Sequence, residues 1–121
     1  MVRTTILVGA LLVAAGLAGC GTTATSEPSA AERLAAADGS TDTVAYQQAI
    51  DALTPKCSNP PDKVPNIAQG TLKVLNDGGI HDETNLTVLH HLADSLPDGA
   101  PKMDCIQIGA TYATLRHTGG H

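Results

Sequence analysis

Cys105-Ile106-Gln107-Ile108-Gly109-Ala110-Thr111-Tyr112-Ala113-Thr114-Leu115 reads as a helix that is apolar on two sides. Cys105, Ile108, Tyr112 and Leu115 recur at helical spacing, and Ile106, Gly109, Ala110 and Ala113 form a second stripe beside them. A helix apolar on two sides is usually the central one of a bundle. The expectation is therefore a helix over residues 102–116 with neighbours on both faces. Working back along the chain, the third segment, residues 82–96, shows Leu86, Leu89, Ala93 and Leu96, with Ile80 as a staple and Asp82 as the cap. The second, from 62 or 64 to 76, carries Val64, Ile67, Ala68, Leu72 and Leu75 and stops at Asn76-Asp77-Gly78-Gly79. The first, 42–53, places Tyr46, Ile50 and Leu53 on one face and ends before Pro55. Gly70 and Gly109, each costly inside a helix, are expected to mark close crossings, and a ligand-sized notch could lie there, near Gly109 and Tyr112.

Composition supports helices. Among 121 residues there is no Phe or Trp and there are only two Tyr, so Leu, Ile, Val and Ala must build the core. That suits helices and disfavours a β-sandwich, whose strands draw on aromatic and β-branched residues. The formal net charge is −5, with the acids scattered. Nucleic acid is excluded as a natural partner, since binding it requires Lys and Arg to neutralise phosphates.

The N-terminus supplies an address. Arg3 precedes the apolar run Ile6 to Leu17, which is too short to span a bilayer and is followed by small residues, as in a secretory signal. Leu17-Ala18-Gly19-Cys20 resembles the lipobox of bacterial lipoproteins. The resemblance implies removal of residues 1–19, a diacylglyceryl group on Cys20, and a protein held by lipid on the outer face of the cell membrane. The Ala/Gly/Thr-rich remainder is similar to that of small lipoproteins of high-GC Gram-positive bacteria. Residues 20–41 then read as the lipidated cysteine and a flexible tether. An Ala-rich stretch from Ser29 to Asp38 could form only a transient helix, being too short to persist alone in water.

With Cys20 lipidated, Cys57 and Cys105 remain as a pair in an oxidising compartment, and a disulfide is the first reading. A metal site is the rival, without CxxC or CxxH spacing to support it. The bridge places the starts of the second and fourth helices at one end. Short connections make successive helices antiparallel neighbours. The expected fold is all-α: a small four-helix up-down-up-down bundle over residues 42–117, stapled by one disulfide, with a frayed tail at 118–121. The tether would enter opposite the disulfide, leaving the Pro-rich loops at the far end as a rigid recognition surface made of Lys56, Pro60, Pro61, Asp98 and Lys102.

Chemistry is scarce. GxSxG, HExxH, a Gly-rich phosphate loop and CxxC are all missing from the sequence. Of five histidines, His90 and Asp94, or His91 and Asp94, could place two ligands on one helix face, but a metal site needs more. His90 is expected to edge the core and His91 to face water beside Asp94. Asn85-Leu86-Thr87 matches the glycosylation pattern by chance. No catalytic residue, cofactor or metal is expected. The expected function is a non-catalytic envelope module that binds a protein partner, with a small-ligand or metal-binding lipoprotein as the alternative.

Overall fold

The computed structural model describes residues 28–119. Five α-helices run along them: α1 Ala30–Ala37, α2 Thr43–Leu53, α3 Val64–Asp77, α4 Asn85–Asp94 and α5 Cys105–His117. Short 3-10 turns cover Thr54–Lys56 and Pro61–Lys63. The only β-type pairing among the described residues is an isolated bridge between Cys57 and Met103. The fold is all-α, and no described helix is long and apolar enough to cross a membrane. Cys20 and the rest of 1–27 lie outside the described residues, as do 120 and 121.

The first departure from expectation is α1, which occupies part of the expected tether. Ser29 and Glu32 form a reciprocal capping box at its start, with Ser29 N donating to Glu32 Oε1 at 2.7 Å and Glu32 N donating to Ser29 Oγ at 3.1 Å. Its eight residues cannot hold a helix alone. They hold it here because Ala31, Leu34 and Ala35 are buried in the common core. The Asp38 carboxylate then fastens α1 to two other elements. It accepts from Tyr46 Oη at 2.6 Å, from Asn85 N at 3.1 Å, from Asn85 Nδ2 at 2.9 Å and from Leu86 N at 3.2 Å. Asp38 thus supplies an anion to the start of α4, where the helix dipole favours one. Burial, and next the bond to Asp38, push the Tyr46 hydroxyl up to about 12. The folded unit therefore begins before residue 42, and the inference that the chain enters opposite the disulfide loses its basis.

Two parallel pairs make up the rest. The starts of α2 and α4 meet around Asp38, Tyr46 and Asn85. Their far ends meet where Lys56 Nζ donates to Ala93 O at 2.9 Å and Leu96 O at 2.7 Å, capping the C-terminus of α4. The starts of α3 and α5 are tied by the Cys57–Cys105 disulfide, with Cα atoms 5.4 Å apart. Ser58 N to Met103 O (2.8 Å) and Met103 N to Lys56 O (3.1 Å) join the flanking backbone. At the other end the His117 ring lies over Gly78, where any Cβ would collide with Nε2. A square up-down-up-down bundle would set α3 diagonal to α5 and α2 diagonal to α4. Instead these are the most closely packed pairs, alongside α1 on α2, and the four-helix count gives way to five.

Three local expectations also change. The cap of α4 is Thr84, not Asp82: Thr84 Oγ1 accepts from Thr87 N while Thr87 Oγ1 accepts from Thr84 N. Asp82 instead faces Arg116. The last helix starts at Cys105, capped by Asp104, so Lys102 lies outside it. Finally, α5 is not central. Cys105, Gly109 and Ala113 are buried, while Ile106 and Leu115 are more than half exposed. Its second apolar stripe opens onto a groove.

Candidate functional site: a groove between two parallel helices

The groove runs along the seam of α3 and α5 and encloses about 580 Å³, within the range of small-molecule sites. On the α3 side Lys63, Asn66, Ile67, Gly70, Thr71 and Val74 line it. These positions repeat at three- and four-residue steps, which is one helix face. On the α5 side stand Ile106, Gly109, Ala110 and Ala113, the second stripe noted in the sequence, and Asn59 and Pro60 close one end. Val74 and Ile106 are exposed large apolar residues on its walls.

The two glycines behave differently. Gly109 is a close crossing: a Cβ there would come within 2.3 Å of Thr71 Oγ1. Gly70 is not a crossing. Nothing lies within 4 Å of the place its Cβ would occupy. A helix-interior glycine costs roughly 0.5–1 kcal/mol against alanine, and packing within the chain gives no reason for this one. Its visible effect is to keep the groove floor open.

The polar groups of the groove gather at the disulfide end. Asn59 is committed to structure, since Oδ1 accepts from Cys105 N at 2.8 Å and Nδ2 donates to Asp104 Oδ1 at 3.0 Å. The bond from Asn59, and then that from the Ile106 amide, hold the Asp104 carboxyl below its ordinary value. Lys63 makes no side-chain hydrogen bond or ion pair among the described residues, and its side chain is exposed. Beyond Ile67 the lining is apolar apart from Thr71.

On its other side α5 meets α4 through a polar cluster that the sequence did not reveal. Glu83 is 8 % exposed. Its carboxylate accepts from Tyr112 Oη, Arg116 Nη1 and Thr87 Oγ1, and contacts His91 Nδ1 at 3.0 Å. Arg116 also reaches Asp82 at 3.0 Å. Burial, then the bond to Glu83, raise the Tyr112 hydroxyl. The Arg116 guanidinium is raised by its bonds to Tyr112 and then Asp82. Both oxygens of the carboxylate have donors, so the cluster bolts α5 to the start of α4, and His91, Tyr112 and Arg116 also line a second pocket with Asp94 and Ser95. The expected Gly109/Tyr112 notch is thereby divided: Gly109 faces the groove and Tyr112 faces the bolt.

The remaining sequence expectations resolve as follows. Cys57 and Cys105 are joined. Lys56, Pro60, Pro61, Asp98 and Lys102 all lie in the loops that precede α3 and α5, and their side chains are differently placed. Lys56 is committed to the α4 carbonyls and to Asp98 at 3.1 Å. Pro60 lines the groove, Pro61 opens a 3-10 turn, and Lys102 is exposed. His90 is exposed and does not edge the core, and His91 is held by Glu83 and Tyr112 (Oη to Nδ1, 2.5 Å), not by Asp94. No three His, Cys, Asp or Glu side chains converge to hold a metal among the described residues. Asn85 is 2 % exposed and its amide is tied to Asp38, which bars a glycan from the folded chain.

No protein-family model matches this chain, and no curated protein or solved structure matches it either.

Proposed function

We propose that this chain is a lipid-anchored, non-catalytic binding protein of the cell envelope, tethered through Cys20 on the outer face of the membrane. The observation that supports the binding reading is the apolar α3/α5 groove with its open floor at Gly70. The loop end is the weaker candidate, because Lys56 is occupied in holding α4. The address rests on the lipobox resemblance alone, and an envelope protein or a small apolar ligand are both occupants such a groove admits.

The test places a photo-crosslinking residue at Val74, in the groove, or at Asp98, in the loop, of the full chain in living cells. Adducts from position 74 that disappear with Gly70→Leu support the reading. Adducts from position 98 alone return recognition to the loops. Intact mass of the recovered protein tests the lipid: an acylated chain starting at Cys20 is expected, and an unmodified Cys20 contradicts it.

A further inference from the structure

We propose that the groove binds a single-chain anionic amphiphile, a long-chain carboxylate, with its head at Lys63 and its hydrocarbon along Gly70 and Val74. This deepens the binding reading above and rests on it. Three observations lead to it. The polar side chains of the groove cluster toward one end: Asn59, Lys63 and Asn66 lie at the disulfide end beside Ile106, and Ile67, Gly70, Val74, Ala110 and Ala113 continue away from it, with Thr71 the one hydroxyl among them. A chain with one charged end calls for polarity at one end only.

Charge gives the sign of the head. In a chain of net charge −5, the cation at this mouth is Lys63, without a side-chain partner among the described residues. Arg33, Lys56, Lys73 and Arg116 are all engaged elsewhere, and Lys102, though exposed, does not line the groove. Asp104, the cap of α5, has Oδ1 taken by Asn59 and by the Ile106 amide. Asp62 precedes Lys63 and is exposed, so it weakens the attraction without closing the site.

Size and the open floor fix the rest. From Lys63 to Val74 the α3 side extends about 16 Å at 1.5 Å per residue. A straight hydrocarbon fits this length and leaves its methylenes against the glycine floor. No other described residue uses the space a side chain at position 70 would enter, and a large side chain there would project into the groove.

The experiment titrates octanoate, decanoate, laurate, myristate and palmitate into the full chain carrying Cys20→Ala, which removes competition from the protein's own lipid. Saturable one-to-one binding is expected, tightening about fourfold per buried methylene until the groove is filled. Gly70→Leu should weaken palmitate at least tenfold, while Gly70→Ala keeps the fold intact as a control. Lys63→Glu should weaken palmitate several-fold and strengthen hexadecyltrimethylammonium. Equal palmitate binding by Gly70→Leu would overturn the site. Indifference of both amphiphiles to Lys63→Glu would overturn the head-group assignment. Absence of saturable binding, with crosslinking from position 74 still captured and still lost in Gly70→Leu, would overturn the amphiphile while leaving the binding reading intact.

Discussion

Helix α5 presents two unlike sides to its neighbours. Toward α4 it offers Tyr112 and Arg116, which close on the buried Glu83 together with His91 and Thr87. Toward α3 it offers Ile106, Gly109, Ala110 and Ala113, which leave an apolar groove of about 580 Å³. The side rich in reactive side chains is bonded mainly within itself, although Arg116 Nε has no hydrogen-bond partner among the described residues and a second pocket opens beside His91, Tyr112 and Arg116. The side with almost no chemistry is physically open. A buried carboxylate must be paired and hydrogen-bonded to be tolerated, so a cluster that resembles a catalytic constellation can be entirely structural. An apolar groove has no such internal partner and can be filled only from outside.

Substitutions on the two sides should therefore have opposite signs. The largest effect is expected where the sides share a foundation: replacing Cys57 and Cys105 together by Ala should lower unfolding free energy by roughly 4 kcal/mol on the loop-entropy model, read by urea titration. Arg116→Met should be the next most destabilising, by leaving Glu83 buried with only its remaining donors. A loss near zero would show that the bolt is not holding α4 to α5. Tyr112→Phe should cost about 1.5 kcal/mol and should also change the alkaline limb. Because the Tyr112 hydroxyl is raised in the folded state, its contribution is present below the ordinary tyrosine value of 10.0. It is lost as pH rises through the raised value. The variant should thus show a shallower decline of stability above pH 10, to which Tyr46, raised to about 12, continues to contribute. The smallest change has the opposite sign: Gly70→Ala should raise stability by roughly 0.5–1 kcal/mol, since the new methyl meets nothing. Destabilisation there would mean that the floor is already packed.

Much of the helical content was legible because apolar periodicity and stop signals coincide. Pro55, the Gly78-Gly79 pair and Pro97 bracket segments whose buried residues, such as Leu53, Leu75 and Leu89, lie on the stripes read from sequence. The groove was half legible: the second stripe of α5 was visible, but whether a stripe meets a neighbour or a void depends on packing. Gly70 and Gly109 look alike in sequence, and only the tertiary approach of Thr71 separates them. Helix α1 was hidden because Leu34 is the single large aliphatic residue in a run of alanines, and its stability comes from docking. The Glu83 bolt joins residues 29 and 33 positions apart in sequence, beyond any local pattern. The one available sign was that Arg116 is the sole cation of its helix before His117.

The most direct measurement is a palmitate titration of the isotope-labelled full chain carrying Cys20→Ala, followed by amide and methyl NMR shifts. The account predicts changes confined to the groove side, from Lys63 to Val74 on α3 and from Ile106 to Ala113 on α5, with His91, Asp94, Ser95 and Arg116 unmoved. Shifts centred on His91, Ser95 and Arg116, with the groove side silent, would contradict it.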